Sequence, residues 1–564
     1  MRQAVIRTVN LEAFGVEIRK ALDDLKTSNI VSRIWKKDYT VWKDRDEEIS
    51  NRLGWLESPE RAVEAFPQYE EFAREVVREG FQNAVLLGMG GSSLAPEVFS
   101  RVFGAVSRGL KFHVLDSTDP EAVLDIENAC SLEKTLFVVS SKSGTTLETR
   151  SFLNYFHYRA WEILGRNRAG RHFIAITDPG TALEKIGREL RFLKIFAGDA
   201  NIGGRFSAIS PFGLVPAALI GLDIGKLVDY SRQAARLCRN TIPSENPGVY
   251  LGALLGTLAL AGKDKLIFLL SPEIENLGAW IEQLVAESSG KEGKGILPIV
   301  RSAPFSADCL GADRVFFDIK LAGDRTHEVS QRLIAQSEQP LIEMELADRC
   351  EIGSQFFFWE MATAAVGYFL KINPFDQPNV AAAKKKTEAV LRIFEETGSL
   401  PQETPCCENE HLAFYGEFQA GKWGDVLGHF LDQARGGDYI CLQAFLPPRA
   451  EIAAALQNIA AKLQGRTKLP VTFDLGPRFL HSTGQLHKGD KGNGLFIQLT
   501  ADHGRDVSVP DSPTASSSSL TFGIIEHAQA RGDFEALKEK SRRILRIRLR
   551  ENILSGLRFL GSRL

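Results

Sequence analysis

The residues from Leu136 to Thr149 read Leu-Phe-Val-Val-Ser-Ser-Lys-Ser-Gly-Thr-Thr-Leu-Glu-Thr, and their side chains suit work on a small anion. An apolar, β-branched run breaks into Ser140, Ser141, Lys142, Ser143, Gly144, Thr145 and Thr146, and helix formers follow from Leu147. A strand feeding a hydroxyl-rich turn and then a helix start offers free N–H groups and the positive end of a helix dipole. A helix cap needs one hydroxyl, and this turn holds five, so it is expected to grip a phosphate. It lacks the Walker spacing, which argues against a nucleotide P-loop.

Four other stretches carry candidate chemistry. In Gly88-Met-Gly-Gly-Ser-Ser93 the sixth position is Ser93, which breaks a dinucleotide fingerprint; Gly91 and Ser92 are expected to form a second wall of the phosphate pocket. In Gly203-Gly204-Arg205, two glycines let the backbone approach a ligand, and a fixed guanidinium there suits a developing oxyanion. Gln283 and Glu287 lie four residues apart and share one helix face. Glu287 falls at the helix end before a glycine-rich turn, where partial desolvation suits a general base. Pro477 to Gly489 holds His481 and His487, two of the chain's ten histidines. With no His-Glu-x-x-His and no further ligands at zinc spacing, no metal site is expected.

These residues need strand ends and helix starts to hold them. Phe81–Leu87, Phe112–Leu115, the Leu136 run and Phe173–Ile176 read as strands that each close in small or polar residues. A second alternating series, Leu266–Leu270, Gly295–Val300, Val315–Ile319 and Leu341–Leu346, follows. A third is Tyr439–Phe445, Val471–Leu475, Leu495–Thr500 and Ile544–Leu549. Strands alternating with helices mean parallel, doubly wound sheets whose ligands sit beyond the strand carboxyl ends. The fold class is therefore α/β, divided into a helical lead-in (1–77), a first sheet domain with the phosphate loop (78–240), a second with Glu287 (241–400) and a C-terminal α/β block (401–564). Asn373–Thr387 reads as a loop entering a helix, with Lys384 to Lys386 as a basic run, and Asp511–Ser519 as a mobile Ser-rich loop.

Composition narrows the partners. Lys and Arg total 68 against 71 Asp and Glu, a net charge of -3, which argues against nucleic acid or an anionic membrane. Seven cysteines with no C-x-x-C pair fit a reducing, cytoplasmic setting. The N-terminus lacks a signal-peptide core. The longest apolar run, Val249–Ala261, is too short to span a bilayer.

Together the motifs resemble those of the glucose-6-phosphate isomerase family, of the kind found as the isomerase half of bacterial transaldolase–isomerase fusions. The resemblance rests on Gly88-Met-Gly-Gly-Ser-Ser-Leu-Ala-Pro, Ser141-Lys-Ser-Gly-Thr-Thr-Leu-Glu-Thr, Gly203-Gly-Arg-Phe-Ser, Glu287-Ser-Ser-Gly-Lys and Phe375-Asp-Gln-Pro-x-Val-x-x-x-Lys384, in the family's order. It implies two sugar-isomerase (SIS-type) domains and interconversion of glucose 6-phosphate and fructose 6-phosphate through a cis-enediol, without metal or organic cofactor. Ser141, Lys142, Ser143 and Thr146 would hold the phosphate, Glu287 would move the proton between C2 and C1, and Arg205 would stabilise the intermediate. Gln283, Glu148 and Gln377 would position the sugar, and Lys384 would assist ring opening. The family's ring-opening histidine, in a Gly-Gln-His motif between the Glu and Lys motifs, is missing. The similar Ser-Thr-Gly-Gln-Leu-His487 comes later, so His487, or else His481, is expected to replace it. In the family that histidine comes from a partner subunit, so a homodimer and a self-sufficient single chain both stay open. The fusion's upstream barrel is absent, and no transaldolase activity is expected. Two alternatives remain: an isomerase of another phosphosugar, such as a dual glucose/mannose 6-phosphate enzyme, and a regulator that binds sugar phosphate without turnover.

Overall fold

The computed structural model describes residues 6–104, 108–300, 310–417, 423–550 and 552–564. After a short strand β1 (Arg7–Val9), the first sheet is built from β2 (Asn83–Gly88), β3 (Lys111–Leu115), β4 (Thr135–Ser140), β5 (Phe173–Thr177) and β6 (Lys194–Ala197). Its order is β3-β2-β4-β5-β6, and every pair is parallel. β4 is buried on both faces, as expected where helices cover both sides of a sheet. β6 was not foreseen: it is four residues long and only Phe196 is buried, so it carries little periodic signal.

The second sheet contains β7 (Lys265–Leu270), β8 (Leu297–Ile299), β9 (Arg314–Leu321) and β10 (Leu341–Leu346), ordered β10-β9-β7-β8 and parallel, with β1 added antiparallel on β10. The third contains β11 (Cys407–Glu408), β12 (Leu412–Tyr415), β13 (Tyr439–Phe445), β14 (Val471–Leu475), β15 (Gly494–Ala501) and β18 (Arg543–Leu549). Its four parallel strands run β18-β15-β13-β14, with β12 antiparallel on β18. A separate hairpin pairs β16 (Ser508–Val509) with β17 (Leu520–Thr521). Among the described residues, no helix is long and apolar enough to cross a membrane.

The lead-in is packed, not peripheral. Trp55 is fully buried, with Phe206 and Phe357 each 5.5 Å from it, and Trp42 meets Phe375 edge-on at 5.0 Å. Gly54 N–H donates to Asn201 O at 2.8 Å. Phe206 and Phe375 pack 5.4 Å apart, so the lead-in holds the Arg205 loop against the Asp376 loop through aromatic contacts.

The third block is docked on both other sheets. Phe522, Ile525 and Ala528 join the apolar cluster of the first sheet, while Tyr439, Phe496, Phe534 and Leu537 join that of the second. Asp511–Ser519, expected to be mobile, is tied down. Nearby Pro510 O accepts from Asn154 Nδ2 at 2.8 Å, and Pro513 O lies 2.7 Å from His157 Nδ1. These are backbone acceptors, which a Ser-rich composition does not reveal.

Candidate active site

The phosphate turn follows β4, and the helix Leu147–Leu164 begins directly after it. Ser141 Oγ accepts from Gly144 N at 3.1 Å and lies 3.1 Å from Thr146 Oγ1, and Ser143 Oγ lies 3.0 Å from Thr145 Oγ1. Gly144 takes a positive φ of 68°, with Leu183 and Thr181 packed where a side chain would stand, so glycine is required there. Thr146 is the N-cap residue, yet its hydroxyl makes no cap bond; by contrast Thr181, capping the helix Ala182–Glu189, accepts from Glu184 N. The uncapped N–H groups suit an anion. Lys142, expected to hold phosphate, has its ammonium on the Asp178 carboxylate and 3.1 Å from Asp199 O. It braces the turn against the ends of β5 and β6.

Two glycine loops close on this turn. Ser140 Oγ donates to the carbonyl of Ser92, a buried residue, at 3.1 Å. A side chain on Gly91 would start 2.2 Å from Gly204 O, whereas one on Gly204 would meet nothing within 4 Å. The two loops thus lie back to back, with Gly204 facing open space.

Arg205 is 2% exposed and its guanidinium is held from every side. Nε donates to Ser288 Oγ at 2.7 Å, one terminal nitrogen donates to Gln377 Oε1 at 2.8 Å, and the other donates to Pro374 O and Asp376 O at 2.7 and 2.9 Å. The nitrogen bound to Gln377 also lies 3.3 Å from Glu287 Oε1. Burial pulls the guanidinium below its ordinary value, and Glu287 and Asp376 oppose that pull. Glu287 and Gln283 lie on the helix Leu277–Ser289, both buried, and Gln283 Nε2 donates to Glu287 Oε2 at 3.1 Å.

The same Gln283 amide donates to the backbone oxygen of His481 at 2.8 Å. The His481 ring reaches Glu148, with Nε2 2.8 Å from Oε1. Glu148 lies two residues beyond Thr146, in the first turn of the phosphate helix. One continuous chain of contacts therefore runs from the phosphate turn through Glu148, His481 and Gln283 to Glu287 and Arg205. Burial pushes the Glu148 carboxyl up, but His481, its own backbone N–H and Lys384 outweigh this and hold it below its ordinary value. Lys384 is exposed in the first turns of the helix Val380–Thr397, close enough for Glu148 to feel its charge.

His487, the first choice from sequence, is not at this crevice. It is fully buried in the third block, with ring contacts to Phe479, Phe496 and Tyr439, and Nδ1 lies 3.2 Å from Gln443 Nε2. Burial pushes its imidazole well below the usual histidine value. The 3-10 turn Arg478–His481 carries the other histidine into the crevice. Gln485 anchors the following segment on the second domain, donating to Gly290 O and accepting from Asn379 N, each at 2.9 Å.

Sequence reasoning missed two participants. Lys291, 1% exposed, donates to Asp376 O and Oδ1, each at 2.6 Å, and burial beside Arg205 drives it down to about 8. It fixes the loop whose carbonyl holds Arg205, and its only sequence signal is that it ends the Glu287-Ser-Ser-Gly-Lys291 motif. Gln529, in the helix Phe522–Glu539, donates to Glu148 Oε1 at 2.7 Å and accepts from Thr118 Oγ1 at 2.7 Å; nothing local marks it.

Comparison with known proteins adds an independent line. The Phosphoglucose isomerase family model matches residues 74–297, a span holding the phosphate turn, Arg205 and Glu287. The glucose-6-phosphate isomerase of Carboxydothermus hydrogenoformans is 30% identical over 406 residues, which cover 62% of this chain and 86% of that protein. The enzyme of the same name from Mycoplasmopsis pulmonis is 29% identical over 431 residues, covering 67% of this chain and 98% of its own. In fold, the chain is similar to a hypothetical protein from Thermus thermophilus, with a TM-score of 0.58 at 24% identity, over 68% of this chain and 99% of that one. An ordered motif set, a buried Arg–Glu pair wired to a phosphate turn and a relative aligned over most of its length agree: this chain belongs to the phosphoglucose isomerase family.

Proposed function

We propose that this chain interconverts glucose 6-phosphate and fructose 6-phosphate by proton transfer through a cis-enediol. The observation that carries the reading is the contact chain from the phosphate turn to Glu287, which puts an anion grip and a carboxylate base in one crevice. The phosphate seats on the Ser141–Thr146 turn and anchors the far end of the sugar, so that binding energy remote from the reacting carbons orients them. His481, held by Glu148, shuttles the proton that opens the sugar ring, pyranose in glucose 6-phosphate and furanose in fructose 6-phosphate, with Lys384 beside it. Glu287 then takes the proton from C2 and returns it to C1. Charge develops on the adjacent oxygen during that step, and Arg205 meets it with a guanidinium already fixed by its neighbours. Gln283 and Gln377 each hold a catalytic group by one end and position it for the sugar.

The third block supplies His481 within the same chain, so we read a single chain as carrying a whole crevice. We also read it as cytoplasmic, supported by the six described cysteines, all free. The direct test is turnover of fructose 6-phosphate by wild type and Glu287→Gln. The variant is expected to bind the sugar and lose about 10²–10⁴-fold in kcat, the range for removal of a general base. A wild type that binds fructose 6-phosphate and never converts it would make the chain a sugar-phosphate regulator instead.

A further inference from the structure

The four parallel strands of the third sheet, β14-β13-β15-β18, repeat the order of the first four strands of the first sheet, β3-β2-β4-β5. Sheets of this kind place ligands beyond the carboxyl ends of their strands. At the carboxyl ends of β15 and β18 the third block has a cavity of about 370 Å³, within the size range of small-molecule sites. It shares no lining residue with the crevice described above, although Ala530 and Arg531 directly follow Gln529, which bonds Glu148.

The charge in this cavity is unbalanced. Arg531, Arg546 and Arg548 line it, against the carboxylates of Glu403 and Asp502 among the described residues. His527 also lines it and adds no charge near neutral pH, because burial and the neighbouring His503 push it down to about 4. Arg546 is 7% exposed and lies between the rings of Tyr415 and Phe534, at 4.6 and 4.8 Å, so its plane is fixed. Glu403 takes the edge of that guanidinium and lies 3.8 Å from Arg531. Arg548 holds Asp502 through one terminal nitrogen, while its buried Nε has no partner. Glu403 belongs to no helix or strand; it sits between the Lys384 helix and β11.

We propose that this cavity is a second anion site, which takes the phosphate monoester of a small metabolite in the place where Glu403 now sits. A phosphate monoester carries about -1.5 to -2 charges near pH 7 and three acceptor oxygens. Three guanidiniums can satisfy those oxygens with paired donors, which one carboxylate cannot fully use. Val390 and Leu400 give the cavity an apolar side for the rest of the ligand. The proposal does not depend on the isomerase reading.

The test is calorimetric titration of the full chain with glycerol 3-phosphate. Wild type is expected to take up one equivalent at this cavity, whether or not the Ser141–Thr146 turn takes another. Arg548→Gln should weaken that equivalent at least tenfold and leave kcat and KM for fructose 6-phosphate unchanged. Glu403→Gln, which removes the competing carboxylate, should tighten the same equivalent several-fold. No uptake by wild type, or superimposable titrations of the three proteins, would overturn the site. Citrate binding there as tightly as glycerol 3-phosphate would overturn the phosphate assignment.

Discussion

His481→Gln isolates the step that the third block contributes. Glutamine keeps an N–H that can reach Glu148, whereas alanine would leave that carboxylate, 5% exposed, without one of its two side-chain donors, the other being the Gln529 amide. Hydrogen bonds to charged groups contribute about 1.5–3 kcal/mol, so His481→Ala should lose roughly that much stability. His481→Gln should stay within about 1 kcal/mol of wild type. The glutamine variant still lacks a group that can take and give a proton. Its kcat/KM on the ring-closed sugar should fall about 10²–10⁴-fold, equivalent to about 2.7–5.4 kcal/mol of barrier at about 1.36 kcal/mol per tenfold. The assay is a coupled dehydrogenase measurement on fructose 6-phosphate, with urea unfolding of both variants as the stability check. Co-expression of His481→Gln with Glu287→Gln chains locates the histidine. If each chain completes its own crevice, the mixture is as inactive as either variant, whereas a histidine donated between chains would restore part of the activity. Full activity in His481→Gln would remove His481 from ring opening, and restored activity in the mixture would place the histidine in another chain's crevice.

Further outcomes follow from the same geometry. Gly91→Ala should disrupt the crevice and the fold together, because its methyl would start 2.2 Å from the backbone oxygen of Gly204; thermal unfolding and turnover should fall in step. Gly204→Ala meets nothing within 4 Å, so it should leave the melting temperature nearly unchanged while raising KM for fructose 6-phosphate. Asp119 is fully buried, with Oδ2 3.8 Å from His503 Nδ1, and burial together with Glu526 pushes its carboxyl from the ordinary 3.8 up to about 7. A raised folded value means the folded state binds more protons, so this stability is present at low pH and lost as pH rises toward neutrality. Asp119→Asn, which keeps the side-chain oxygen that caps the helix Pro120–Ala129, should flatten the decline between about pH 4 and 7 in urea titrations. An unchanged slope would show that His503 or Glu526 carries the titration.

The phosphate turn was legible from the amino-acid order because its information is local. Five hydroxyls and Gly144 lie between an apolar run and a helix start, and the turn does stand between β4 and the helix Leu147–Leu164, although Lys142 turns to Asp178. The parallel strands of all three sheets, β6 apart, were marked in the same way, since most are apolar runs closed by small or polar residues. Short strands such as β1 and β12 escaped, because each is stabilised by a partner far away in the chain, Glu343 for Arg7 and Leu549 for Leu412. Which histidine faces the crevice was settled only by folding. His481 and His487 belong to one short segment, with no local signal to separate them. The choice is made by Glu148, 333 residues from His481, and by the aromatic rings that enclose His487. Gln529 and Lys291 were hidden for the same reason: a buried polar side chain gains its role from the groups it must satisfy, and folding brings those groups from distant parts of the chain.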